Sequence, residues 1–161
     1  MFRKAKQLKD PTDPDHGYNY AIFLLGLRAR TQGEIQKKMK DRGYTPSVID
    51  QTVNKLIDLR YINDDEYLRS FIENQKEFGS HGYFWLKQKL MLRNVSSDIA
   101  EAALQEQFLE EDEEQVLSKF VTKELRGKSL KGFDYQEKQK FAAKCARRGF
   151  RQNLVHRLIF E

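Results

Sequence analysis

The stretch TQGEIQKKMKDRGYTPSVIDQTVNKLIDLRYINDDE, residues 31–66, predicts two helices joined by a tight turn and followed by the capped start of a third. Gly43 ends the first helix, where a left-handed residue is usually needed and glycine adopts that conformation without a steric penalty. Thr45 and Pro46 then supply an N-cap and a first helical position for the second helix. Asn63 begins a capping-box pattern at the start of the third helix. The stretch therefore predicts a helical module with defined starts and stops.

The same pattern recurs twice further along the chain, at intervals of roughly fifty residues. Tyr44, Val95 and Phe150 anchor the three copies, and a residue that tolerates positive φ precedes each anchor. Equivalent hydrophobic positions flank the anchors: Ile35, Leu86 and Phe141; Met39, Leu90 and Cys145; Val48, Ile99 and Leu154; Val53, Leu104 and Ile159. The repeat predicts an all-α fold made of three tandem three-helix modules.

The predicted modules cover residues 18–62, 63–109 and 110–161, after an irregular lead-in at residues 1–17. The first helix is expected at residues 18–28, and the acidic run 110–114 is expected to begin a helix, because acids complement the dipole there. Two sets of side chains are expected to face inward: Ala21, Phe23, Leu24, Leu25 and Leu27 in the first helix, and Ile99, Ala103, Leu104 and Phe108 in the sixth.

The composition excludes several classes of protein. Charged residues make up 33% of the chain and hydrophobic residues 39%, which favours an elongated protein with much surface. No apolar run approaches the roughly 18 residues of a membrane span, and no signal peptide opens the chain. The single cysteine, Cys145, excludes an intramolecular disulfide, and its place in the repeat predicts a core position. These features predict a cytoplasmic protein.

The sequence offers no arrangement of residues that indicates catalysis. The histidines, His16, His81 and His156, are far apart and lack metal-ligand spacing, so they are interpreted as surface or loop residues. The segment 127–129 resembles the end of a phosphate-binding loop, but Thr122 stands where that motif needs glycine. Asp64 and Asp65 are explained by helix capping. We therefore expect no enzyme activity, no metal and no cofactor.

Basic residues recur in register and are the candidate binding residues. The matched positions are Lys38, Lys89 and Lys144, and Arg42, Arg93 and Arg148; Arg147 and Arg151 extend the set, followed by Arg28 and Arg30. Residues 115–161 carry twelve Lys and Arg against four Asp and Glu. One explanation is that cations favour the ends of helices, where the macrodipole is negative. The other is a surface that contacts phosphates or acidic protein without reading bases.

Several sequence segments of the chain resemble those of the RecX family. These are residues 27–35 with Lys38, Met39, Gly43 and Tyr44; residues 59–67; residues 79–82 with Leu86, Lys89, Leu90 and 93–95; and residues 148–150. The resemblance covers roughly residues 18–160. Arg60 stands where the family usually has Gly, and Tyr67 where it usually has Phe; neither change alters the helical interpretation.

The resemblance implies a curved, elongated protein of three tandem three-helix modules that regulates the RecA recombinase. It implies a monomer that binds in the groove of the RecA filament on single-stranded DNA. There it suppresses ATP hydrolysis, strand exchange and co-protease activity, and so modulates DNA repair and the SOS response. Duplex DNA is a further candidate partner.

Two other functions remain open from the sequence. A helix-turn-helix transcription factor would read DNA with Ser47, Gln51 and Asn54 of the third helix. A helical scaffold would bind only protein.

Overall fold

The computed structural model describes Leu8 and residues 10–161, and that part of the chain contains nine α-helices and no β-strand. The helices are α1 Pro14–Leu27, α2 Gln32–Arg42, α3 Pro46–Asp58, α4 Asp64–Phe78, α5 Tyr83–Leu92, α6 Ser97–Gln107, α7 Glu110–Leu125, α8 Tyr135–Arg147 and α9 Gln152–Phe160. A 3₁₀ turn, Leu130–Gly132, precedes α8. The predicted all-α class is confirmed. Among the described residues, no helix combines the length and the apolar character needed to cross a bilayer.

The first helix begins four residues earlier than the sequence predicted. The carboxylate of Asp13 accepts a hydrogen bond from the backbone N–H of His16 at 3.0 Å, and Pro14 occupies the first turn. An Asp-Pro pair is a helix start signal, since proline lacks the N–H that would be unsatisfied there. The expected irregular lead-in is therefore wrong for residues 14–17, while residues 1–7 and 9 lie outside the described part of the chain.

Gly43, Thr45 and Asn94 act as the sequence predicted, and Thr31 adds a cap outside the predicted set. Thr31 caps α2 in a reciprocal capping box with Glu34. Gly43 has a φ of +104° and donates its N–H to the carbonyls of the last turn of α2. Thr45 caps α3, and Asn94 occupies the equivalent left-handed position in the second copy with a φ of +57°. Local capping groups therefore stand at both ends of α2 and at the start of α3.

The chain divides into two compact units. The first comprises the described residues up to Tyr67 together with Arg93–Val95, and the second comprises Leu68–Leu92 and Ser96–Glu161. Buried residues of the first unit include Ile35, Met39, Tyr44, Val48, Val53 and Leu56. Buried residues of the second unit include Leu86, Leu90, Leu104, Phe108, Cys145, Phe150, Leu154 and Ile159. The repeat positions thus supply much of both cores, and Cys145 is buried as predicted.

Three residues expected in the core are exposed instead. Phe23 and Leu27 of α1 are 60% and 63% exposed, because this helix buries only one face, which carries Ala21. Ile99 of α6 is 54% exposed. The buried positions of α6 are Ala100, Ala103 and Leu104, which have the i, i+3, i+4 spacing of a single helix face. Ile99 precedes that face and so points away from the core.

Candidate functional site

The ten candidate cations divide into two groups of five. One group forms ion pairs with carboxylates: Arg28, Arg30, Arg93, Lys144 and Arg151. In the other group no carboxylate of the described residues lies within ion-pair distance: Lys38, Arg42, Lys89, Arg147 and Arg148. The sequence did not distinguish these groups, because the pairing carboxylates lie on other helices or other turns.

Three of the paired arginines surround one carboxylate in the first unit. Glu34 is 8% exposed, and its Oε1 lies 2.5 Å from Arg28 Nη2, 3.4 Å from Arg93 Nη1 and 3.8 Å from Arg30 Nη1. Burial alone would raise the pKa of Glu34, but hydrogen bonds from Arg28 and the Thr31 N–H, with the charge of Arg93, lower it below its usual value. These arginines neutralise a buried charge, so their first role is structural.

The backbone of the segment Arg93–Val95 also lies against the start of α2. Thr31 Oγ1 donates a hydrogen bond to the Arg93 carbonyl at 2.5 Å. A Cβ atom on Gly33 would lie 2.2 Å from the Asn94 carbonyl oxygen, so only glycine permits this approach. The Gln32 N–H, otherwise unsatisfied at a helix start, donates to Asp64 Oδ1 at 2.8 Å. Asp64 therefore caps α2 as well as standing in the first turn of its own helix.

The second unit repeats this arrangement with different residues. The N–H groups of Gly82 and Phe84, at the start of α5, donate to the carbonyls of Arg148 and Gly149 at 2.9 and 3.0 Å. The N–H of Tyr83 donates to Glu113 Oε1 at 3.1 Å. Gln32 and Tyr83 are equivalent in the repeat, and each is capped by a carboxylate from the next module's first helix.

Glu113 also binds Arg151, another of the ten candidate cations. It accepts a hydrogen bond from the Arg151 N–H at 2.9 Å, and its Oε2 lies 3.1 Å from Arg151 Nε. The guanidinium carbon of Arg151 lies 4.5 Å from the centroid of the Tyr83 ring. Burial raises the pKa of Glu113 above its usual value, although the hydrogen bonds from Tyr83 and Arg151 oppose that shift. Arg151 thus stabilises a buried carboxylate in the second unit.

The unpaired candidates occupy different environments. Lys38 and Arg147 are exposed on α2 and α8. The guanidinium of Arg42 lies over the Tyr20 ring at 5.5 Å from its centroid. Because none of these cations is compensated by a neighbouring carboxylate in the described part of the chain, each is available to an external anion.

Lys89 and Arg148 converge on two aromatic side chains that the sequence did not single out. The rings of His81 and Trp85 are stacked, with centroids 3.8 Å apart and an interplanar angle of 15°. Lys89 Nζ lies 5.0 Å from the Trp85 centroid, and Arg148 Nη1 donates to His81 Nε2 at 3.1 Å. We call these four residues the Trp85 cluster. The four-residue spacing of His81 and Trp85 across a helix start is the sequence signal that points to their contact.

The polar face proposed for a DNA-reading helix is present on α3. Ser47, Gln51 and Asn54 are all exposed, and Gln51 Nε2 donates to Ser47 Oγ at 3.2 Å. Asp58 follows Asn54 by four residues and shares this face, and Asp50 precedes Asn54 by four. Carboxylates on a helix that must enter a DNA groove are repelled by the phosphates, so α3 is poorly suited to that task.

Two family models match the chain. Residues 18–56 match the model described as "RecX, first three-helix domain", and residues 63–104 match "RecX, second three-helix domain". These matches, together with the nine helices above, confirm the predicted tandem three-helix architecture.

Curated relatives carry the same description. The chain is 26% identical to the Regulatory protein RecX of Streptococcus agalactiae serotype V over 97% of the chain and 59% of the relative. It is 30% identical to that of serotype III, over 83% of the chain and 57% of the relative. For Mycobacterium sp. strain KMS the identity is 24%, over 91% of the chain and 81% of the relative. The chain spans less than 60% of the length of the streptococcal relatives.

Solved structures share the fold. The crystal structure of RecX from Lactobacillus salivarius superimposes with a TM-score of 0.74 at 24% identity, covering 94% of this chain and 96% of that one. A crystal structure of regulatory protein RecX gives a TM-score of 0.73 at 21% identity, over 91% of this chain and 70% of that one.

Proposed function

Since this chain belongs to the RecX family, we propose that it is a negative regulator of the RecA recombinase. It binds in the groove of the RecA filament on single-stranded DNA and inhibits ATP hydrolysis, strand exchange and co-protease activity. Its effect in the cell is to modulate DNA repair and the SOS response. Its partners are the filament protein and the single-stranded DNA that the filament holds, and it acts as a monomer without catalysis of its own.

The observation that supports this role is the set of cations without a carboxylate partner in the described residues. The first unit contributes Lys38 and Arg42, and the second contributes Lys89, Arg147 and Arg148. Uncompensated cations attract a polyanion and release its counterions, without any need to read bases. We place the direct contact with phosphates or with acidic recombinase surface on these five residues. Arg28, Arg30, Arg93, Lys144 and Arg151 contribute positive charge but are held by carboxylates.

The two alternative functions are less well supported. A transcription factor would need α3 in the major groove, where Asp50 and Asp58 oppose the phosphates. A scaffold that binds only protein predicts binding to the recombinase that does not depend on DNA.

Binding to filaments tests the proposal. Bacterial RecA filaments on single-stranded DNA, held by a non-hydrolysable ATP analogue, are sedimented with this chain at several salt concentrations. We expect co-sedimentation that weakens as salt rises, and we expect Lys38→Gln and Arg147→Gln to lower the salt slope by about 1 each. Lys144→Gln is the matched control, because Lys144 is already paired with Glu124. Absence of the chain from the pellet, or equal losses in all three variants, would contradict the proposal.

A further inference from the structure

The Trp85 cluster brings together residues that are far apart in the chain. Arg148 follows α8, whereas His81 precedes α5, Trp85 lies in its first turn and Lys89 in its last turn. Arg148 Nη1 also lies 3.4 Å from Ser80 Oγ, so the guanidinium is fixed between the loop before α5 and the rest of the cluster. All four side chains are partly exposed. The cluster is therefore a preformed feature that solvent can reach.

The cluster carries two cations that form no ion pair within the described residues. Neither Lys89 nor Arg148 has a carboxylate at ion-pair distance there. Burial, and then the charges of Arg148 and Lys89, lower the pKa of His81, which keeps its ring neutral beside the two cations. An anion seated between Lys89 and Arg148 would remove this imbalance.

The stacked rings indicate which kind of anion the cluster would bind. An acidic protein surface needs only the cations, but a single strand of nucleic acid needs cations for its backbone and an aromatic face for its bases. The His81 and Trp85 rings are already stacked, and aromatic rings of this kind are the platforms on which single-stranded bases pack. Duplex DNA fits less well, since its bases are stacked on one another and do not present a free face.

We propose that the Trp85 cluster binds one nucleotide of single-stranded DNA. Lys89 and Arg148 hold the phosphate, and the base extends the stack formed by His81 and Trp85. This inference rests on the proposed function for its choice of single-stranded DNA as ligand, and it adds a defined contact site with two aromatic residues.

The fluorescence of Trp85 tests the inference directly, because the chain contains one tryptophan. The full chain is titrated with oligothymidylate at several salt concentrations, without recombinase. We expect saturable quenching that is stronger than with a duplex of equal length. Lys89→Gln and Arg148→Gln should each weaken the apparent affinity at least about threefold and lower the salt slope by about 1. Circular dichroism confirms that each variant is folded.

Lys119→Gln is the charge-matched control, since Lys119 is exposed on α7 in the same unit. Unchanged fluorescence at saturating oligothymidylate, or equal weakening by Lys119→Gln, overturns the inference. If quenching is absent while the chain still binds filaments, the cluster is refuted and the proposed function stands. If quenching occurs as expected but recombinase activity is unaffected, the cluster is supported and the proposed function fails.

Discussion

Arg93 Nη1 lies 3.4 Å from Glu34 Oε1, although 59 residues separate the two along the chain. Arg93 is one of the basic residues that recur in register, and its pairing explains part of that recurrence. Its carbonyl accepts a hydrogen bond from Thr31, just as the carbonyl of Arg148 accepts one from Gly82. Arg93 and Arg148 therefore lie where the end of one middle helix meets the start of another, which gives both residues a structural role.

The cluster of Glu34 with Arg28, Arg30 and Arg93 should contribute strongly to stability. Glu34→Ala removes a buried carboxylate, half of a capping box and the partner of Arg30, whose side chain is also nearly buried. We expect a loss of about 3 kcal/mol in the free energy of unfolding, measured by urea denaturation followed by circular dichroism. Lys37→Ala, which breaks an exposed ion pair with Asp41, should cost less than about 0.5 kcal/mol. Similar losses in the two variants would show that the cluster is not a stabilising feature.

The same carboxylate should make stability depend on pH. The folded pKa of Glu34 lies below its ordinary value of 4.5, so the unfolded chain binds more protons and stability rises with pH. The contribution is present above about pH 4.5 and is lost as the pH falls through the folded pKa. The stability difference between the wild type and Glu34→Gln should therefore shrink from pH 7 towards pH 3. A difference that stays constant over this range would argue against a lowered pKa.

Substitutions at two glycines with positive φ should distinguish the cost of backbone strain from the cost of steric crowding. Gly149 and Gly127 have φ values of +80° and +87°. A Cβ on Gly149 would lie 2.4 Å from the Trp85 backbone nitrogen, whereas one on Gly127 would meet nothing within 4 Å. We expect Gly127→Ala to cost about 1 kcal/mol from strain alone. Gly149→Ala should cost about 3 kcal/mol or more in the same denaturation assay, and equal costs would refute the close contact.

Local signals made the helices predictable from the sequence. Gly43, Thr45 and Pro46 determine where α2 ends and α3 begins through their own backbone preferences, so one stretch was sufficient. The prolines near Asp13 predict an irregular segment, whereas Asp13 and Pro14 together begin α1. The repeat, taken position by position, predicts Ile99 in the core, whereas α6 buries the face that starts one residue later.

The candidate site was less predictable, since charge in a sequence does not reveal its partners. Arg93 and Arg148 look equivalent in the repeat, but Glu34 neutralises only the first. The partner of Arg151 is Glu113, which lies 38 residues away within an acidic run that the sequence predicts only as a helix start. Long-range contacts of this kind follow from packing, which a single sequence does not contain.

Cys145 should be chemically protected in the folded chain. Burial raises the pKa of its thiol to about 11, so the reactive thiolate is scarce at neutral pH. A thiol reagent such as dithiobisnitrobenzoate should react with it at least about a hundredfold more slowly in the native chain than in denaturant at pH 8. The chain has no other cysteine to confuse the signal. Rapid stoichiometric reaction of the native chain would contradict this placement.

ATP hydrolysis by a bacterial RecA on single-stranded DNA tests the central claim most directly. The chain is titrated into the reaction at fixed salt and with DNA in excess. We predict inhibition at amounts of the chain well below those of the recombinase, and weaker inhibition when Lys89, Arg147 and Arg148 are changed to Gln. An unaltered rate of hydrolysis, with the chain folded and present in excess over the recombinase, would contradict the assignment of this protein as a negative regulator of RecA.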